Sequence, residues 1–251
     1  RKIPQSTDRE WRGMMPAENI ELLIEFTHDD DPRARAMAVA GLAKLADARG
    51  FAPVLVCLFD PVDEVRAAAA TALGIFGDDR AFEALVECLG DPNERVGVNC
   101  AWSLGQIPTT RCLDKLCEVV ADNEVAPAIR VAAATAIGER SELPGFDITT
   151  DGALIEQARV ALLDAMDDEE GELRAACIWT LGHFPVDKQT TEACIEALDD
   201  DYEWVVRYAI EALAHFGDLG ALEPLLELSE SEDDEIRDLA CQAVDLLRAD
   251  A

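Results

Sequence analysis

Lysine is nearly missing from this chain. Four of its 251 residues are Lys, and 21 basic side chains face 52 acidic ones, for a formal net charge of −31. A surface of that sign repels nucleic-acid phosphates and anionic membranes, so neither is expected as a partner. Histidine is as scarce, with His28, His183 and His215, and none is followed by Glu. No apolar run approaches the ~18 residues that a membrane helix needs. The eight cysteines form no C-x-x-C pair and no zinc-spaced cluster. They recur at apolar positions, which reads as small core residues in a reducing compartment. No secretory leader is visible, and a cytoplasmic location is expected. Phosphate-loop, H-E-x-x-H and G-x-S-x-G patterns are absent, and the acidic runs lack a calcium-loop pattern. The expectation is no catalytic residue, no metal site and no cofactor.

What is present is repetition. The stretch "DPVDEVRAAAATALGIFGD" (Asp60–Asp78) fixes an anchor at Arg66, and six other segments fall in register with it. Their anchors are Arg35, Gly97, Arg130, Arg174, Val206 and Arg237, spaced 31, 31, 33, 44, 32 and 31 residues along the chain. Each copy holds two amphipathic stretches separated by Asp-Pro or an acidic turn. Such a unit cannot bury its apolar face alone, and stacking supplies the core. The spacing predicts an all-α, right-handed solenoid of about seven αα-hairpins forming a single curved superhelix. Residues 1–16 are expected to form an N-terminal extension, with Trp11 helping to cap the array. The solenoid runs over 17–251 and carries an inserted loop at 141–152, either a binding element or tolerated decoration.

The run of alanines fits the second helix of each pair, where small side chains let backbones approach and Ala has the best helix propensity. Val65, Ala69, Ala70, Ala72 and Leu73 are expected to be buried. Ala67, Ala68 and Thr71 are expected on the inner surface.

The pattern D-P-x-x-x-V-R-x-x-A-A-x-A-L-G resembles HEAT repeats, in the short form also found in phycobilin lyases, over Ala17 to Leu247. The resemblance implies a structural ladder of Asp–Arg pairs between adjacent repeats. It carries over to Asp60 with Arg66, Asp168 with Arg174 and, more loosely, Glu124 with Arg130, and it is interrupted at Gly97 and Val206. The His-Glu pairs of the iron-binding HEAT-repeat hydroxylases are missing.

The fifth residue after each anchor points inward. It is Ala40, Thr71, Trp102, Thr135, Trp179, Glu211 and Gln242. Two tryptophans at a position otherwise small or polar, with Asn99, Gln106, His183, Arg207, Tyr208 and His215 nearby, mark a candidate binding face in repeats 3 to 6. Trp, Tyr and Arg are the usual anchors of interfaces. The alternative is that each Trp fills a groove between helices. The acidic runs (Asp29–Asp31, Asp167–Glu170, Asp199–Asp201, Glu230–Glu235) read either as solvated turns with helix caps or as one negative edge. The leading expectation is a monomeric, non-enzymatic scaffold holding a basic protein or peptide on its concave face. It resembles the bacterial HEAT-repeat immunity proteins encoded beside toxins. The enzyme alternative is a bilin lyase or tetrapyrrole-attachment chaperone.

Overall fold

A computed structural model of the chain describes residues 19–139 and 152–249. Every regular element among them is helical. The chain divides into two compact units, 1–107 and 108–251.

The first unit contains α1 (Ile20–Phe26), α2 (Pro32–Leu45), α3 (Phe51–Cys57), α4 (Asp63–Phe76), α5 (Phe82–Cys88) and α6 (Glu94–Gln106). The second contains α7 (Thr110–Ala121), α8 (Pro127–Glu139), α9 (Gly152–Asp164), α10 (Gly171–Leu181), α11 (Lys188–Glu196), α12 (Glu203–Phe216), α13 (Leu222–Leu228) and α14 (Asp234–Ala249). In each unit the second helix of one repeat packs on the second helix of the next. The contacts run α2 on α4 on α6, and α8 on α10 on α12 on α14. Trp11 and all of the 141–152 insertion except Gly152 lie outside the described residues.

Local chemistry repeats with the helices. Gly77 (φ 60°) and Gly217 (φ 69°) end α4 and α12 in the left-handed region, where glycine carries no Cβ penalty. The aspartate after each of them, Asp78 and Asp218, caps the next short turn by accepting from Arg80 N and Gly220 N. Cys57 and Cys88, one repeat apart, are buried and point their thiols at the carbonyls of Thr27 and Leu58. Burial pushes the Cys57 thiol up to about 11 and the Cys177 and Cys194 thiols up to about 12. Cys57, Cys88, Cys100 and Cys177 are core residues, as their recurrence implied, whereas Cys241 is exposed.

The ladder exists, but its rungs are not the pairs expected. The carboxylate of Asp60 takes the guanidinium of Arg35, at 2.6 and 2.7 Å, rather than that of Arg66. Arg66 instead forks onto Asp91 (2.6 and 2.8 Å), Arg174 onto Asp200 (2.8 and 2.7 Å), and Arg130 reaches Asp168 (2.7 Å). Each of these anchor arginines therefore binds the aspartate of the following repeat. Arg66 still touches Asp60 and Arg174 still touches Asp168, but through backbone carbonyls, at 2.9 Å. The reason is geometric. The anchor lies six residues past that carbonyl, so one Nη turns back onto it while the other edge of the planar fork faces the next repeat. Each aspartate also caps its own turn, as Asp91 does for Asn93 N and Asp200 for Tyr202 N. Arg130 makes no pair with Glu124 and donates to the Val120 carbonyl instead.

The expected burial along α4 holds except at Ala67, which is buried rather than presented on the inner surface. The α6 helix covers it, and Asn99 Nδ2 donates to the Ala67 carbonyl at 3.1 Å.

Candidate functional site

The two inward tryptophans are held by the same device. On α6, Trp102 lies over Gly74 of α4, where an added Cβ would sit 2.9 Å from its ring. The neighbouring Ser103, fully buried, donates Oγ–H to the Ala70 carbonyl at 2.8 Å. On α10, Trp179 lies over Gly138 of α8, with the equivalent separation 2.8 Å. There the buried Thr180 donates to the Ala134 carbonyl, also at 2.8 Å. A glycine on one helix thus admits an indole from the next, and a hydroxyl beside the indole fixes the register between them. Both rings end up half-buried.

The surroundings differ. In the second unit α8, α10 and α12 enclose a hollow of about 380 Å³. Val131 and Thr135 of α8 form one wall, and Glu172, Ala175 and Ala176 of α10 form the floor with Trp179. Tyr202, Trp204 and Tyr208 close it from the α12 side. Tyr202 caps the start of α12 and lies tightly over Gly171, where an added Cβ would fall 2.5 Å from the ring. Trp204 and Tyr208 are one helical turn apart, with ring centroids at 5.9 Å. Trp204 remains 47% exposed, although an aromatic ring of that size usually finds cover.

A second hollow of about 360 Å³ adjoins the first along Trp179 and Tyr208, and His183, Glu211 and His215 line it. The His183 ring sits 4.4 Å from that of Trp179. Its Nδ1 lies 2.7 Å from the Trp179 carbonyl, an acceptor, so Nδ1 carries the proton. This bond satisfies a carbonyl that the helix leaves free where α10 ends.

Of the nine candidate residues, Trp179, His183, Tyr208, Glu211 and His215 come together here. Arg207 lies beside them but is engaged. It bonds Glu203 (2.9 Å) and Glu235 (2.5 Å) and places its guanidinium 4.9 Å from the Trp204 ring centre. The Glu235 and Glu203 carboxylates raise its pKa further. It stands one residue after Val206 and ties α12 to α14 where the anchor arginine is missing. Asn99, Trp102 and Gln106 belong to α6 in the first unit, and Asn99 is used in holding α4. Residues not singled out from the sequence are Tyr202, Trp204 and Glu172, while Thr135 was read as inward-pointing but not as a candidate. The signal for the first two was present in "DYEWVVRY", which carries aromatics four and two residues before the anchor and two after it.

The acidic turns are largely occupied. Asp31, Asp168, Asp200 and Asp233 cap helices or turns, and Asp168 and Asp200 are also rungs of the ladder. Among the described residues, no group of three or more His, Cys, Asp or Glu is arranged to hold a metal ion. No helix among them is long and apolar enough to cross a membrane.

The profile of the HEAT repeats matches residues 20–99 and 160–245, more than half of the chain.

The chain belongs to the HEAT repeat family.

The profile of the PBS lyase HEAT-like repeat matches residues 96–122. Solved structures agree on the fold. An archaeal HEAT-like repeats protein from Thermococcus onnurineus NA1 superposes with a TM-score of 0.62 at 16% identity, over 92% of this chain and 97% of that one. The YibA protein of E. coli gives 0.61 at 20% identity, over 99% and 98%. A chain of the complex between Kap95p and RanGDP gives 0.65 at 16% identity, over 92% of this chain and 36% of that one. No curated protein matches the sequence. The HEAT-repeat fold is suited to protein–protein interaction, and the half-exposed aromatic hollow lies on its stacked second helices.

Proposed function

We propose that this HEAT-repeat protein is a non-enzymatic interaction module that seats a basic protein or peptide segment across α8, α10 and α12. The observation that carries the proposal is the aromatic cluster of exposed Trp204 and half-buried Trp179, Tyr202 and Tyr208, grouped around one hollow on an acidic chain. Large rigid rings bury much area at little entropic cost, and they are the usual centres of binding energy. The net charge of −31 favours a basic partner and speeds its capture. A basic toxin of the kind that immunity proteins neutralise is one member of that class. Trp102 and Asn99 serve mainly to pack α6 on α4.

Selection of displayed random peptides on the full chain tests this. Selected peptides should carry Lys or Arg, and Trp179→Ala combined with Tyr208→Ala should weaken them by about 30-fold or more. Peptides that bind the double variant as well as the parent would place the interaction elsewhere. A bilin added to the chain should keep its free absorbance spectrum, and a saturable shift would favour the lyase reading.

A further inference from the structure

The composition of the larger hollow is more specific than that of a general apolar groove. Four aromatic residues from two helices and the turn before α12 meet there with one carboxylate, Glu172, and no Lys or Arg is among the described residues lining it. An aromatic face is the negative end of a quadrupole, and several faces around one small space attract a cation. Glu172 is exposed at the first turn of α10 and supplies a formal counter-charge at the rim. The side-chain polar groups of Trp179, Tyr202, Trp204 and Tyr208 make no hydrogen bond to another described residue, so they are free to contact what enters. The adjoining hollow adds Glu211 and again no Lys or Arg among its described lining.

The chain itself shows how one of these rings behaves. Arg207 already places a guanidinium over Trp204 from outside the hollow, held there by Glu203 and Glu235. An indole and two carboxylates together hold that arginine, and the hollow brings aromatic rings together with one carboxylate, Glu172. The volume of about 380 Å³ lies at the small end of ligand pockets, fitting one or two side chains rather than a folded element.

We infer that the hollow between α8, α10 and α12 is a cation-accepting aromatic cage that takes a single Arg or Lys side chain of the partner polypeptide. The inference rests on the proposed interaction function and adds to it the residue class that anchors the partner. The expected order is Arg above Lys, because a planar guanidinium both stacks on rings and forks onto a carboxylate. Charge complementarity selects the occupant. A neutral apolar side chain would gain contact area in the hollow but nothing from Glu172.

The test uses the full chain labelled with 5-fluorotryptophan, its fluorine resonances assigned from single Trp→Phe variants. The probes are Nα-acetylarginine amide, Nα-acetyllysine amide, the neutral isosteres built on citrulline and norleucine, and tetramethylammonium chloride. The arginine probe should shift the Trp179 and Trp204 resonances saturably and leave Trp102 in place. The citrulline probe should bind at least about tenfold more weakly. Glu172→Gln lies on an exposed side chain, so folding should survive it. It should weaken the arginine probe about fivefold and leave the citrulline probe unchanged. Equal shifts with citrulline or norleucine, or no saturable shift with arginine, would overturn the cage. Tetramethylammonium binding more tightly than both amino-acid probes would assign the hollow to a small quaternary ligand and overturn the side-chain assignment. None of these results decides the peptide selection. Trp179-dependent peptides without a cation preference would leave the interaction function standing and remove only the cage.

Discussion

Trp102 and Trp179 occupy the same position of their repeats, over the same kind of glycine, beside hydroxyls that make the same hydrogen bond. The repeats next in the chain set them apart. Counted from the anchor of the next repeat, the positions four and two before it and two after it hold Ala126, Ala128 and Ala132 beyond Trp102. Beyond Trp179 they hold Tyr202, Trp204 and Tyr208. One indole is therefore succeeded by small residues and the other by three aromatic rings. The same repeat thus yields a packing element in one place and a candidate binding site in another, and the repeats that follow the two in sequence differ at three aromatic positions.

If both indoles share a packing role, Trp102→Ala and Trp179→Ala should cost similar stability. Half-burial puts each at about 2–3 kcal/mol, below the range for a fully buried Trp. Denaturant melts check this, and a change confined to one of the two would break the equivalence.

The glycines beneath them should then separate the sites. At Gly74 an added Cβ meets a backbone atom, Ser103 Cα at 3.0 Å, as well as the Trp102 ring and Ser103 Oγ. At Gly138 the nearest atoms, on Trp179 and Thr180, are all side-chain atoms. Backbone yields less than side chain, so Gly74→Ala should destabilise by about 2 kcal/mol and Gly138→Ala by about 1 or less, net of the helix propensity gained. The reverse order in thermal melts would show that the tighter clamp is on Trp179.

Acid should affect both units alike, because each contains a rung of the same kind. The Arg66 hydrogen bond holds Asp91 below the usual carboxylate range, and Arg174 does the same for Asp200. A carboxylate whose pKa is lowered by folding contributes stability that is fully present above its ordinary value, here 3.8, and is lost as pH falls through the lowered one. Stability should therefore show no pH dependence from these groups between pH 7 and 5 and should fall below pH 4. Asp91→Asn should cost about 1–3 kcal/mol at pH 7, with the gap to the parent closing as the pH drops below 4. A gap that stays constant down to pH 2 would remove the ladder from the acid response.

The smallest effect is expected from exposed charge. Converting the exposed Asp199 to Lys should slow partner association by up to about twofold at low salt, and the slowing should fade as salt rises. Asp200 and Asp201 are excluded because both bond Arg174. Stopped-flow association at two ionic strengths measures this, and a salt-independent change would indicate direct contact.

Much of the fold was legible in the sequence because the repeat imposes seven readings of one pattern, so an error in a single copy is corrected by the others. Trp102 and Trp179 stood out for the same reason, as departures from a position that is otherwise small or polar. The partners of the arginines were harder to read. Asp60 and Asp91 lie on either side of Arg66 in sequence, and only the direction of the planar fork decides between them. Trp204 and Tyr202 escape the sequence reading because every inward position in it lies after the anchor, and both of these precede the anchor where the chain enters α12. Ala67 was misplaced because a neighbouring helix, which no single-helix periodicity contains, covers it.

The central claim is that binding resides on Trp179 and its aromatic neighbours and not on Trp102. Affinity of one selected basic peptide for the parent chain, Trp102→Ala and Trp179→Ala, measured by calorimetry under conditions where all three are folded, tests it most directly. The account predicts a loss of about 30-fold or more for Trp179→Ala and less than about threefold for Trp102→Ala. Equal losses for the two variants, or a larger loss for Trp102→Ala, would contradict it.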